Sequence, residues 1–539
     1  MAEDRTHRIE IDWQDLFKPI PGLQSSPDDA RVINEIVVKP EIIPIIFVPG
    51  IMGSRLRKTG NGDKAWDPDA LMFMGSKYLL SGTPEKRKKM LVGDQSHDSS
   101  YLEVDTESDK IPDIGKDKGW AGLAWGFYGG ILKALSEYQW PALLKACFNF
   151  PVYAFGYNWT DSNHKSGEKL AAAIKKIIDA NAQQGKCRQV ILVTHSMGGL
   201  VARSACKLHG AESSVLGVIH GTQPATGAPA AYQRMKHGFR DLDGSLWDWL
   251  THPISKATEM VLGNDGQKVT IILAHMPGGL ELLPNQLYKT NDGSTQWLAY
   301  ERADGSKVAL PAKGDPYGEI YLEKDAPYRL IDPEWLGDIG KQGKSSPHED
   351  EGKSAWDSFK FNLNKAQNFH SGLQDQGHAQ TFQFYSAGIK TADRIKIAGS
   401  KIPGQHLYFY KTMQGKRYFD FRDSHNNRID VQHDPYFSEP TSFELHPRRK
   451  ELLVVYAYAV EPPMGSGDGT VPDCSGRALN VKPSNYDKGP DGTVDITDQD
   501  EKEAARAHDQ IYNTSTAQYI TVKAIENLCK TKIKTETGA

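Results

Sequence analysis

The stretch Gln189-Val190-Ile191-Leu192-Val193-Thr194-His195-Ser196-Met197-Gly198-Gly199, followed by Leu200-Val201-Ala202-Arg203-Ser204-Ala205-Cys206, decides how this chain is read. Gln189 to Val193 is an apolar run of strand length, and Leu200 to Cys206 has the character of a helix. A serine with small neighbours sits between them. A strand that feeds a helix through one serine is the pattern of a nucleophile elbow. Such an elbow holds the serine on a strained turn, so the residues packed beside it must be small. Gly198 and Gly199 meet that need after the serine. Thr194 stands where the pattern usually has its first glycine. Ser196 is therefore the candidate nucleophile.

The segments around the elbow give the fold class. Glu35 to Val48 is a Val/Ile-rich run of the kind found in buried parallel strands. Trp120 to Ala146 is aromatic and helical in character, and Phe150 to Phe155 reads as a strand. In Lys169 to Gln183, Leu170, Ile174, Ile177 and Ile178 recur at helix spacing, with Lys175, Lys176 and Asp179 on the other face. Leu216 to His220 is a further strand. The alternation predicts a mostly parallel doubly wound sheet, and with the elbow it points to an α/β-hydrolase fold. Past Pro229 the rhythm fails. Residues 231–380 are rich in Gly, Asp, Lys and Trp without strand–helix alternation, and are expected to form an inserted cap or lid. Thr381 to Ala387 and Glu451 to Val460 return to strand character, Gln405 to Phe421 alternates like an antiparallel hairpin, and Thr514 to Leu528 reads as a terminal helix. The expected organisation is an N-terminal arm (1–34), a first part of the hydrolase core (35–230), the cap (231–380) and a second part of the core (381–539).

Composition narrows the function classes. The 539 residues carry 64 basic and 68 acidic side chains without a long basic block, which argues against a nucleic-acid partner. The start, Met1 to Arg8, lacks the apolar core of a secretory signal, so synthesis in the cytoplasm is expected. No run approaches the roughly 18 uninterrupted apolar residues of a membrane span, so no transmembrane anchor is expected. Cys147, Cys187, Cys206, Cys474 and Cys529 are scattered, odd in number and without metal-ligand spacing. They are expected to be buried or free thiols of a protein made in the cytosol, with a single disulfide formed after export as the alternative; neither a metal nor a cofactor is expected.

A serine hydroxyl is a poor nucleophile at neutral pH and needs a base within reach, itself oriented by a carboxylate. In this fold the chain order is Ser, then Asp or Glu, then His. Asp468, in Gly465-Ser466-Gly467-Asp468-Gly469-Thr470-Val471-Pro472, is the candidate acid, expected at the carboxyl edge of the sheet after the strand that ends near Val460. Asp491, in a second Asp-Gly-Thr-Val run, is its rival, but it reads first as a plain Asp-Gly turn, and Gly467, Pro472 and the preceding strand favour Asp468. His508, last of the histidines and just ahead of the final helix, is the candidate base. His195, beside the nucleophile, is expected to support the elbow structurally. The developing oxyanion needs backbone N–H donors. Met197, after the nucleophile, is one. Ile51, in the glycine-rich loop Val48-Pro49-Gly50-Ile51-Met52-Gly53-Ser54, is the other.

Taken together, these segments resemble the lecithin:cholesterol acyltransferase-like branch of the α/β-hydrolases, with its bacterial lipase relatives. The resemblance is carried by Phe47 to Leu56, Ala65-Trp66-Asp67-Pro68, Phe155-Gly156-Tyr157-Asn158-Trp159 and Thr194 to Gly199. It continues in Gly221 to Pro229, Leu282-Leu283-Pro284 and Gly467 to Pro472. Ser196, Asp468 and His508 map onto that branch's triad, and Ile51 and Met197 onto its oxyanion hole. Thr194 for glycine and Asn158 for aspartate are departures that bear on substrate rather than reaction type. The layout also resembles lipase effectors of the type VI secretion system. That resemblance implies membrane phospholipid as substrate, secretion into the periplasm of a target cell and an immunity protein as inhibitor.

Leu246-Trp247-Asp248-Trp249-Leu250, then Ile254, Met260, Val261 and Leu262, would suit an apolar lid. The acids between Asp487 and Asp500 lack calcium-loop spacing, and Lys86-Arg87-Lys88-Lys89 reads as a solvated loop. The leading expectation is a serine-dependent lipase or phospholipase. An acyltransferase with the same triad and a catalytically silent binding protein on this scaffold are the alternatives.

Overall fold

Five of the apolar runs, joined at one edge by the short strand Thr493–Asp495, assemble into one parallel sheet. In the computed structural model these strands are β1 (Ile45–Val48), β2 (Val152–Ala154), β3 (Val190–His195), β4 (Val215–Gly221), β5 (Thr381–Tyr385) and β6 (Thr493–Asp495). They stand in the order β6-β5-β4-β3-β1-β2, with every neighbouring pair parallel. The structure describes residues 5–20, 22–23, 32–70, 90–92, 101–108, 110–237, 269, 272–301, 305–336, 355–401, 406–413, 416–422, 428–429, 437–445, 452–460, 465–479, 493–495 and 507–538, with backbone alone over 398–460 and 493–495.

β1 and β3 are buried at every position. That explains why Ile45–Val48 and residues 190–193 are continuous apolar runs rather than alternating ones: a parallel sheet is covered on both faces. The pleat sends successive side chains of β3 to opposite sides. Leu192 joins a core with Leu170 and Ile174 of helix α2 (Asn163–Ala182) and with Leu200 and Val201 of helix α3 (Gly198–Leu208). Ile191 and Val193 join the other core, with Ile131 and Leu132 of helix α1 (Trp125–Glu137) and with Ile525 and Leu528 of helix α5 (Ser515–Thr537). A further helix, α4 (Ala355–Leu373), buries Phe359, Leu363 and Phe369 in the first core. The starts of α2 and α5 are capped by side chains: Ser162 accepts from the Lys165 N–H and Thr514 from the Ala517 N–H.

The Val/Ile run at 35–48 is not one strand. Pro40 and Pro44 cannot donate to a ladder, and the chain divides there. Val32–Lys39 pairs in parallel with Arg5–Asp12, from Arg5 opposite Val32 to Asp12 opposite Lys39, so these two segments form a ribbon. Glu41–Ile42 pairs with Phe148–Asn149, and only Ile45–Val48 enters the main sheet. The fully buried Trp13 donates its indole N–H to Glu41 and anchors the ribbon.

Among the described residues, a second, mainly antiparallel sheet of eight strands is drawn from the 298–310 and 395–460 regions. The hairpin read at 405–421 is its pair His406–Met413 and Lys416–Arg422. Leu452–Val460 is a strand, but it pairs with Ile395–Lys401 and Phe437–Leu445 rather than joining the main sheet. Among the described residues of 381–539, Thr381–Tyr385 and Thr493–Asp495 add strands to the main sheet. The apolar segment at 246–262, the basic run at 86–89, Asp487 and Asp491 lie outside the described residues. No helix among the described residues is long and apolar enough to cross a membrane. All five cysteines are free.

Candidate active site

β3 ends on His195 and α3 starts at Gly198, which leaves Ser196 on the turn between them. Its φ is +51°, in the left-handed region that side chains with a Cβ seldom occupy. The surroundings hold it there. The Ser196 N–H donates to the carbonyl of Gly221 and its own carbonyl accepts from Gly199, both at 2.9 Å. The Tyr512 hydroxyl donates to the carbonyl of Thr194 at 3.0 Å. Small residues are needed because β1 runs close by: a Cβ on Gly198 would lie 2.4 Å from the carbonyl oxygen of Pro49 and 2.5 Å from that of Val48. Thr194 is tolerated in place of glycine because its hydroxyl meets Nδ1 of buried His220 at 2.8 Å. Burial, with Arg203 and His378 nearby, lowers the His220 pKa to about 3.

The three residues expected to form a triad are brought together. His508 Nε2 lies 2.7 Å from Ser196 Oγ, and His508 Nδ1 lies 2.7 Å from Asp468 Oδ2. The second oxygen of Asp468 accepts from the N–H groups of Thr470 at 3.0 Å and Val471 at 2.6 Å. The His508 N–H in turn donates to the Asp468 carbonyl at 3.0 Å. Asp468 and Ser196 are buried.

The route to Asp468 differs from the sequence reading. The strand ending at Val460 belongs to the second sheet. Asp468 reaches the carboxyl edge of the main sheet because Gly465–Gly467 pairs antiparallel with Ile389–Thr391, just past β5. The Thr391 hydroxyl accepts from the Gly469 N–H at 2.7 Å, and Gly469 has a φ of +87°, which suits glycine. The chain thus comes back at Gly465 to the strand it left at Thr391.

The loop after β1 lies against Ser196. A Cβ on Gly50 would be 2.9 Å from Ser196 Cβ, so this approach requires glycine. Among the described residues, the N–H groups of Ile51 and Met197 have no hydrogen-bond partner, which leaves them available to an incoming oxygen. Behind them lies a group that sequence reasoning missed. Tyr128, on α1, meets His195 Nδ1 at 2.8 Å and accepts from the Gly50 N–H at 3.1 Å. His195 Nε2 lies 2.8 Å from the carbonyl of His508. Burial first, then neighbouring His508, holds the His195 pKa well below the usual histidine range. No local pattern marks Tyr128, since its role depends on three distant segments meeting. No group of three or more His, Cys, Asp or Glu among the described residues could hold a metal ion.

Comparison with known proteins agrees with this architecture. Residues 161–281 match the family described as the PGAP1-like alpha/beta domain. This stretch runs from the start of α2 through the elbow into the region after β4. No curated protein matches the chain. Among solved structures, the crystal structure of a Tle4–Tli4 complex is similar over 91% of this chain and 99% of that one, with a TM-score of 0.63 and 24% identity. The Bacillus licheniformis lipase BlEst2 in its propeptide form gives 16% identity over 80% of this chain and 72% of that one, with a TM-score of 0.20. Phospholipase PlaB from Legionella pneumophila gives 13% identity over 77% and 80%, with a TM-score of 0.17. The chain has an α/β-hydrolase fold.

Proposed function

We propose that this protein is a serine-dependent lipolytic esterase that cleaves acyl esters of membrane phospholipids through an acyl-Ser196 intermediate. The hydrogen-bonded series from Asp468 through His508 to Ser196, on the elbow of a hydrolase fold, carries the reading. His508 Nε2 takes the proton of Ser196 as Oγ attacks the ester carbonyl. The tetrahedral oxyanion accepts from the Ile51 and Met197 N–H groups. His508 then gives its proton to the departing alcohol, and in the second half it deprotonates the water that releases the fatty acid. Asp468 keeps the Nδ1 proton in place and stabilises the imidazolium as it forms. In the cell the protein acts as an effector, delivered by a type VI secretion system into the periplasm of a rival cell and restrained by an immunity protein. The near full-length likeness to Tle4, solved in complex with Tli4, supports that role.

The test is hydrolysis of mixed phospholipid vesicles by the wild type and by Ser196→Ala, with released fatty acids and lysolipids identified by mass spectrometry. Release by the wild type alone is expected. Transfer of the acyl chain to an added alcohol in preference to water would make the protein an acyltransferase. No turnover of phospholipid or of short-chain esters by the wild type would leave a binding protein on a hydrolase scaffold.

A further inference from the structure

We infer that Tyr128 and His195 are positioning residues, a buried hydrogen-bonded strut that holds the oxyanion loop and the general base in register about Ser196. The inference deepens the proposed reaction and rests on it. Four segments meet here: Gly50 from the loop after β1, Tyr128 from α1, His195 from the end of β3 and His508 from the loop ahead of α5. The contacts are 3.1 Å from the Gly50 N–H to Tyr128 Oη, 2.8 Å from Tyr128 Oη to His195 Nδ1, and 2.8 Å from His195 Nε2 to the His508 carbonyl.

The two ends of the series set its polarity. A backbone N–H can only donate and a carbonyl can only accept. Gly50 therefore donates to Tyr128, the Tyr128 hydroxyl donates to Nδ1, and His195 donates through Nε2–H to the His508 carbonyl. One tautomer of a neutral ring satisfies every atom. Burial keeps the ring neutral, so His195 stands next to the nucleophile without competing for its proton.

The strut reaches the chemistry at two points. Gly50 precedes Ile51, so anchoring the Gly50 N–H fixes the peptide planes that aim the Ile51 N–H. The loop also wraps the phenol tightly: a Cβ on Gly53 would lie 2.7 Å from Tyr128 Oη. At the other end, His195 holds the backbone of His508, whose ring faces Ser196 Oγ. The ring of Tyr128 is held in turn by Phe47 of β1, with centroids 5.0 Å apart, and stands edge-on to His195 at 5.6 Å. A packing role alone would need the ring; the strut needs the hydroxyl.

Tyr128→Phe separates the two, since it keeps the ring and removes one oxygen. The expected result is a kcat for ester hydrolysis lower by roughly 10- to 100-fold with KM within about twofold. Affinity for an alkylboronic acid, whose tetrahedral adduct places an oxygen in the oxyanion hole, should fall by a similar factor. The control is Tyr321→Phe, which removes an equally buried hydroxyl bound to the Pro284 carbonyl. It should leave boronate affinity and kcat at wild-type values. Equal kcat and boronate affinity in Tyr128→Phe and wild type would overturn the inference, whereas no hydrolysis by the wild type would instead defeat the proposed function. Nitrogen NMR of histidine-labelled wild type provides a test that needs no variant. A neutral His195 protonated at Nε2 supports the strut, and a ring protonated at Nδ1 refutes it.

Discussion

Replacing Asp468 with asparagine tests the triad through a geometric trap that the structure sets. In the wild type, one carboxylate oxygen accepts from the Thr470 and Val471 N–H groups at 3.0 and 2.6 Å, and the other faces His508 Nδ1 at 2.7 Å. An asparagine must turn its carbonyl oxygen toward those two donors, because its NH2 would clash with them. The NH2 is then forced onto Nδ1 of His508. That ring must present a lone pair to the amide, so its proton moves to Nε2, where it faces Ser196 Oγ. A base already protonated on that side cannot accept the serine's proton. The equivalent loss of tautomer control in serine proteases lowers kcat by about 10⁴, or roughly 5 kcal/mol of barrier at 1.36 kcal/mol per tenfold. The fold should survive, because the His508 N–H bonds to the Asp468 main-chain carbonyl, which the change leaves in place. The assay is steady-state hydrolysis of a soluble ester, with thermal unfolding alongside. An asparagine variant that folds and keeps activity within tenfold of wild type would refute this account of the acid.

Thr194→Val should cost about 1–3 kcal/mol in denaturant unfolding by stranding His220 Nδ1, with kcat nearly unchanged. A loss of activity without a loss of stability would contradict it. Gly198→Ala should destabilise by about 1–3 kcal/mol and lower kcat, since the new methyl meets main-chain oxygens of Val48 and Pro49 that cannot step aside. Glu281 offers a pH test. Burial pushes its pKa up to about 8 from 4.5, so the folded protein keeps a proton that the unfolded chain releases. Its contribution to stability is therefore complete below about pH 4.5 and is lost as pH rises toward 8, at roughly 1.4 kcal/mol per pH unit. Glu281→Gln has no such proton to lose, so its stability should climb relative to wild type between pH 5 and pH 8; parallel urea-unfolding profiles would show the reasoning wrong.

The elbow was readable in sequence because its requirements are local: a strand, a serine, small neighbours and a helix within about 15 residues. Thr194 departs from the pattern, and the reason is not local, since it depends on His220 in the next strand. Asp468 was readable from its glycine-rich turn. Its path was not, because a strand such as Leu452–Val460 carries the same periodicity in any sheet, and nothing in that periodicity names its partners. The insertion that begins after β5 hides the fact that Ile389–Thr391 and Gly465–Gly467 close upon each other. Pro40 and Pro44 did mark the ends of strands, but the Val/Ile content between them masked the breaks. Tyr128 sits in an ordinary aromatic stretch of α1. Only the approach of Gly50 and His195 distinguishes it from its neighbour Phe127.

The proposed reaction passes through a covalent acyl-serine. Rapid mixing of the enzyme with a chromogenic ester, acid quench and intact-protein mass spectrometry would show it directly. The expected result is a burst approaching one product per enzyme, a mass increase equal to the acyl group, and that group on the peptide containing Ser196. Turnover with no adduct, an adduct on another residue, or full activity in Ser196→Ala would contradict it.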